Sequence, residues 1–140
     1  MRQTSPMDAA RLRALAGMAA WCKVACVDGA VAAFAIALRD GAPYANDNYA
    51  WFAARYEEFL YVDRIVVDAA FAGRGIGRAL YEELFAFARA RAIGFVACEY
   101  NLEPPNPASR AFHERFGFSE VGTQWVAGGT KRVSLQVARA

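Results

Sequence analysis

One histidine and three cysteines in 140 residues leave little from which to build a metal site. Cys22, Cys26 and Cys98 form no CxxC pair, and their odd number suits neither a zinc centre nor a disulfide framework. Free, buried thiols are the expectation. Long hydrophobic runs are also missing. The longest, such as Ala30 to Leu38, fall well short of the roughly 20 apolar residues that span a bilayer. Asp8, Arg11 and Arg13 interrupt the segment where a signal peptide needs an unbroken apolar stretch, so the sequence reads as cytoplasmic. Nor is there an excess of one charge. Sixteen Lys plus Arg against fourteen Asp plus Glu leave a formal +2, too dispersed for a reader of nucleic-acid phosphates. Repeats, low-complexity tracts and linkers are absent too. What remains is 56% hydrophobic and 21% charged, a globular composition, at a length that buries roughly two thirds of the unfolded surface in one self-sufficient domain.

Ser5-Pro6-Met7-Asp8 combines an N-cap hydroxyl, a proline at the first helical position and an acid at the third, with Leu12, Leu15 and Met18 or Ala19 at helical spacing behind it. A short helix should close near residues 17–20. CKVACV and VAAFAIAL read as two antiparallel strands joined by Asp28-Gly29, a dipeptide suited to the positive φ angles of a tight turn. FLYVDRIVV is apolar on both faces and so central, with Asp63 and Arg64 as its polar exceptions. Ile76, Leu80, Leu84 and Phe87 then recur every three or four residues, predicting a helix over residues 75–92 closed by Gly94. FVACEY is a strand, NLEPPN a stiff loop and PASRAFHERF a helix opened by Pro107. SEVGTQWV and TKRVSLQV form a hairpin through Gly128-Gly129.

Gly73-Arg74-Gly75-Ile76-Gly77-Arg78 stands between a strand and a helix, where open N–H groups and the positive end of the helix dipole converge. Three alternating glycines admit a phosphate close to the backbone, and Arg74 and Arg78 can add charge-assisted hydrogen bonds. A dinucleotide fingerprint would need a small residue at Arg78 or Leu80, and a P-loop would need Lys-Ser or Lys-Thr in place of Arg78-Ala79, so neither applies. A plain structural turn is the alternative.

YVDRIVVDAAFAGRGIGRALYEELFAFA, then CEYN, then NPASRAFHERFGF, resembles the GCN5-related N-acetyltransferase family, known as GNAT. The likeness is strongest over residues 59–118. It implies one α/β domain over residues 1–140, with a mixed, largely antiparallel twisted sheet flanked by helices and splayed at its centre. The chain begins where the family's second helix would lie, so the family's first strand and helix are expected to be absent. The resemblance assigns the turn Ala72-Gly73-Arg74-Gly75-Ile76-Gly77, with Arg78, to the pyrophosphate of acetyl-coenzyme A, Ala72 standing where the family uses Gln or Arg. It places the pantetheine arm in a gap beside Ile65, Val66 and Val67, near Asn106, Ser109 and Phe112. Without the resemblance, Asn106 is simply a helix cap before Pro107.

His113 occupies the position of the family's tyrosine acid. As an imidazolium it could protonate a departing thiolate, whereas a surface or supporting histidine is the plain alternative. Glu99 and Asp63 are carboxylates inside apolar strands flanking the gap, costly there unless used or paired. Glu99 ranks first as the base, and Asp63 has the alternative of an ion pair with Arg64. Tyr44, Asn48, Trp51 and Phe52 lie in a segment without one clear period, suited to an acceptor loop. The same stripe also fits a helix packed on the sheet. The expected function is acetyl transfer from acetyl-coenzyme A to the amine of a small or amino-acid-like acceptor by direct attack, without metal. A non-catalytic acyl-coenzyme A binding module is the alternative. A homodimer through the C-terminal hairpin is a further expectation.

Overall fold

The computed structural model describes residues 9–105 and 107–140. The predicted helix start at residues 5–8 and the role of Asn106 fall outside them. The elements run α1 (Ala9–Met18), β1 (Trp21–Val27), β2 (Ala30–Arg39), α2 (Asp47–Ala53), β3 (Leu60–Val67), a 3-10 turn (Ala69–Phe71), α3 (Ile76–Ala90), β4 (Phe95–Asn101), α4 (Pro107–Arg115), β5 (Ser119–Val126) and β6 (Lys131–Arg139). One six-stranded sheet has the order β1-β2-β3-β4-β6-β5, antiparallel throughout except where β3 and β4 run parallel.

Local sequence sets the connections. Asp28 and Gly29 both take positive φ, 51° and 80°, the pair that lets a two-residue turn follow the twist of β1 and β2. The end of α3 differs from the expectation. Ala92, at φ 58°, is the left-handed residue, with Ile93 N–H on Ala88 O and Ala92 N–H on Arg89 O at 2.8 and 3.1 Å. That bonding closes the helix two residues before Gly94. Ile93 is buried and supplies the accompanying apolar contact.

Two cores lie on opposite faces of the sheet. Leu80, Tyr81, Leu84, Phe85 and Ala88 of α3 pack with Leu60, Val62, Val96 and Cys98 on one face. Leu15 of α1 and Tyr49 and Phe52 of α2 pack with Ile36, Leu38, Tyr61, Ala97 and Leu135 on the other. Cys98 is buried as expected, but Cys22 and Cys26 are exposed, because they sit on the edge strand β1.

Two irregularities open the centre of the sheet. β3 and β4 pair only at Leu60↔Val96 and Tyr61↔Ala97 and then diverge, so the rest of β3 has no strand partner on that side. On its other side, Ile36 pairs with Arg64 and Ala37 with Val62, leaving Asp63 as the extra residue of a bulge.

Candidate active site

The bulge in β3 sets the direction of Asp63. Neighbouring residues of a regular strand point to opposite faces, yet Arg64 Nε reaches Asp63 Oδ2 at 3.3 Å. One inserted residue turns both side chains to the α2 face, and the ion-pair alternative for Asp63 is the arrangement found. The other Asp63 oxygen accepts the Tyr44 hydroxyl at 2.5 Å. Burial and the Asp63 carboxylate hold the Tyr44 phenol well above its ordinary range, so it stays a neutral donor.

Glu99 lies on the same face, across the divergence from β3. Tyr61 donates to its Oε1 at 2.6 Å. Loss of solvation pushes the Glu99 carboxyl up to about 7, and the Asp63 charge adds to the rise. The hydrogen bonds from Tyr61 and Asn48 and the charge of Arg64 oppose it. A carboxyl balanced near neutrality, and still half-buried rather than sealed off, is suited to take a proton.

Helix α2 roofs this cluster. Asn46 caps it, its side-chain oxygen accepting from the N–H groups of Asn48 and Tyr49 at 3.0 Å each. Gln124 of β5 donates to Asn48 Oδ1 at 3.0 Å and to Asp47 O at 3.3 Å. Trp51 packs against Gly122, where an added Cβ would meet its Cζ2 at 2.6 Å. Of the proposed acceptor residues, Tyr44 meets Asp63 and Asn48 meets Glu99, while Trp51 packs on Gly122 of β5. Phe52 is fully buried among Trp51, Tyr56, Phe59 and Tyr61, seating α2 on the sheet with no surface to offer an acceptor. The segment is therefore helix and loop at once, with Tyr49 and Phe52 as its core-facing residues.

The opposite face carries the glycine turn. Gly73 and Gly75 have φ of 80° and 75°, and nothing lies within 4 Å of a Cβ built on either. Gly75 caps α3 without a side-chain bond, leaving the first-turn N–H groups directed outward. Gly77 is packed instead, against Val67 and Phe112. The turn thus fits an anion through its backbone. Arg74 stacks on Phe71, 5.1 Å from the ring centre, and Arg78 pairs with Glu82 at 3.2 Å in an exposed contact that an anion could displace. Ile65 and Val67 turn their side chains into the core below α3 and Val66 turns away, while the β3 main chain borders the gap.

His113 is packed within α4. Its Nδ1 donates to Ser109 O at 2.7 Å and its Nε2 accepts from the Tyr81 hydroxyl at 3.3 Å. Tyr81, Tyr100, Phe112 and Phe118 surround the ring. Burial lowers its pKa, outweighing the bond to Ser109. The imidazole thus engages its Nδ1–H on a helix carbonyl and seats α4 within this aromatic cluster. Tyr61 and Gln124 are the residues missed from sequence. Tyr61 stands two residues before Asp63, so strand alternation already put both on one face, whereas Gln124 joins only through the fold.

The sequence matches the Acetyltransferase (GNAT) family over residues 2–118. The chain belongs to that family. Its members transfer acetyl groups from acetyl-coenzyme A, and the mixed sheet flanked by helices is their fold. Solved structures agree. The ribosomal-protein-S18-alanine N-acetyltransferase from Escherichia coli matches with a TM-score of 0.64 at 19% identity, covering 96% of this chain and 91% of its own. Ard1 from Thermoplasma volcanium matches at 0.76 and 16%, covering 98% and 82%. The NatC complex bound to Gag peptide and CoA matches at 0.73 and 14%, covering 99% and 83%. At these identities the likeness is one of fold. No curated protein matched. No helix among the described residues is long and apolar enough to cross a membrane, and none of their His, Cys, Asp and Glu side chains cluster as a metal site.

Proposed function

We propose that this GNAT protein acetylates the amine of a small or amino-acid-like acceptor, with Glu99 as the base. The observation that carries the reading is the Glu99 carboxyl near pKa 7, held by Tyr61 on the acceptor side of the β3 and β4 divergence. Acetyl-coenzyme A, which supplies the activated acetyl group, would lie along the divergence with its pyrophosphate at the turn 73–78. Peptide groups of Ile65, Val66 and Val67 would meet the arm as an added strand does. Ser109, Phe112 and Asn106 would border it. Ala72 offers no side-chain contact, so the backbone and Arg74 carry the anion.

Glu99 takes a proton from the acceptor ammonium, directly or through one water; the freed amine attacks the thioester carbonyl, and as the C–S bond breaks the nitrogen releases its second proton to solvent. Asp63, paired with Arg64 and fixed by the Tyr44 hydroxyl, orients the acceptor. The Asn48 and Gln124 bond and Trp51 on Gly122 close the α2 roof against β5, which supports a small acceptor over a long peptide. The thiolate is a moderate base and draws its proton from solvent, since His113 has none to give.

A second reading, acyl-coenzyme A binding without chemistry, is favoured by His113 in its neutral, fully bonded state. Thiol release from acetyl-coenzyme A with a panel of small amines and amino acids distinguishes the two. Amine-dependent release that rises with pH through about 7 supports the transferase. Thermal stabilisation by acetyl-coenzyme A without release from any acceptor supports the module, and neither effect rejects both.

A further inference from the structure

A cavity of about 520 Å³, a volume within the range of small-ligand sites, opens between α4, the end of β4 and the strands β5 and β6. It is apart from the site above. Side chains alternate along β4, so Glu99 faces α2 with Tyr61, whereas Tyr100 faces α4, its ring against His113 and bordering the cavity. The cavity therefore lies across the sheet from the carboxylate cluster.

A chain of polar side chains forms its floor. Gln136 of β6, only 4% exposed, lines the cavity. Its Nε2 donates to Ser134 Oγ at 2.6 Å, and Ser134 donates to Glu120 Oε1 at 2.6 Å. That order fixes the amide. A carboxylate only accepts, so the single Ser134 proton goes to Glu120, and Ser134 must accept from the amide nitrogen rather than face the amide oxygen. The other Nε2 proton goes to the Tyr100 hydroxyl at 3.3 Å. Three groups bordering the cavity are then left without a partner among the described residues: Gln136 Oε1 and the second Glu120 oxygen, which accept, and the Tyr100 O–H, which donates. A buried amide oxygen is costly in that state.

We infer that this cavity binds a free α-amino acid with an apolar side chain. The ammonium donates to Gln136 Oε1 and to Glu120, and a carboxylate oxygen accepts from Tyr100. Gln136 holds the Tyr100 hydroxyl through its amide nitrogen, so its oxygen, on the same carbon, lies close beside that hydroxyl. A ligand that meets both carries its donor and its acceptor on neighbouring atoms, as an α-amino acid does. At the α4 wall Arg110 pairs with Glu114 at 3.3 Å in an exposed contact that the second carboxylate oxygen can displace. Leu102, Pro105 and Phe118 supply apolar wall for the side chain. Glu120, a lining carboxylate without an ion pair, favours a ligand that carries an ammonium over a plain carboxylic acid. The site does not depend on the acetyl-transfer reading.

Calorimetric titration of the full chain with leucine should show millimolar or tighter binding. Isovalerate, which lacks the ammonium, and isoamylamine, which lacks the carboxylate, should each bind at least roughly 10-fold more weakly. Glu120→Gln keeps an oxygen for Ser134, so it should retain its circular dichroism while weakening leucine roughly 10- to 100-fold. Tyr100→Phe keeps the ring on His113 and should weaken leucine as well. Glu99→Gln, across the sheet, should bind leucine with unchanged affinity, which separates this cavity from an acceptor held at the candidate active site. No binding at about 10 mM leucine, isovalerate binding as tightly, leucine binding unaffected by Glu120→Gln in the folded protein, or binding lost in Glu99→Gln would each overturn the inference.

Discussion

Replacing Glu99 by Gln should make the protein more stable while removing its chemistry. Burial moves the folded-state pKa of Glu99 from 4.5 to about 7. Between those values the folded chain holds a proton that the unfolded chain has released, so this group makes stability fall as pH rises through the window and stay level above it. At about 1.4 kcal/mol per pKa step, ionising Glu99 in the fold costs about 3 kcal/mol at pH 8. Gln keeps an oxygen for the Tyr61 hydroxyl and carries no charge. Allowing for a weaker bond from Tyr61, Glu99→Gln should be about 2–3 kcal/mol more stable than wild type at pH 8 and nearly equal to it at pH 4. Urea unfolding of both proteins across pH 4–8 measures this, and turnover of the variant should fall by roughly 10²–10⁴. Equal stability at pH 8, or a difference that does not grow between pH 4.5 and 7, would refute the placement of a desolvated carboxyl at Glu99.

Other perturbations probe the rest of the site. His113→Ala should cost about 2–4 kcal/mol in urea unfolding by opening an aromatic cluster and removing the imidazole from the Tyr81 hydroxyl. It should leave kcat within about threefold, under 1 kcal/mol in barrier; a loss of a hundredfold would restore histidine to the chemistry. Gly122→Ala should cost about 1–3 kcal/mol by displacing Trp51, and adding Trp51→Ala should cost less than the two changes summed. Ala92→Gly should raise stability by about 0.5–1 kcal/mol, because it relieves a left-handed alanine at the end of α3. An unchanged or lowered midpoint would contradict that.

Where chemistry is local, sequence and structure coincide. Asp28-Gly29 needs only its own φ preferences to make a turn, and Gly73-Arg74-Gly75 needs only its position before a helix to leave N–H groups open. The family likeness supplied the divergence of β3 and β4. No local pattern encodes it, since it is a relation between distant segments, Leu60 with Val96 and Tyr61 with Ala97. Asp63 and Glu99 were recognisable as carboxylates in apolar strands. The bulge that turns Asp63 and Arg64 to one face depends on β2, and the Tyr61 partner of Glu99 on the same long-range packing. Cys22 and Cys26 looked like core thiols because composition says nothing about which strand lies at an edge. His113 stood where an acid was expected, and that its Nδ1 hydrogen-bonds the Ser109 carbonyl one helical turn earlier shows only in the structure.

The proposed chemistry turns on acetyl-coenzyme A entering between β3 and β4 and delivering its thioester to Glu99. A crystal structure with coenzyme A bound would decide this. Pyrophosphate should lie on the N–H groups of residues 73–78, the arm beside Ile65, Val66 and Val67, and the sulfur within one water of the Glu99 carboxyl on the side roofed by α2. Coenzyme bound elsewhere, or a sulfur that opens onto neither Glu99 nor the space beneath α2, would contradict it.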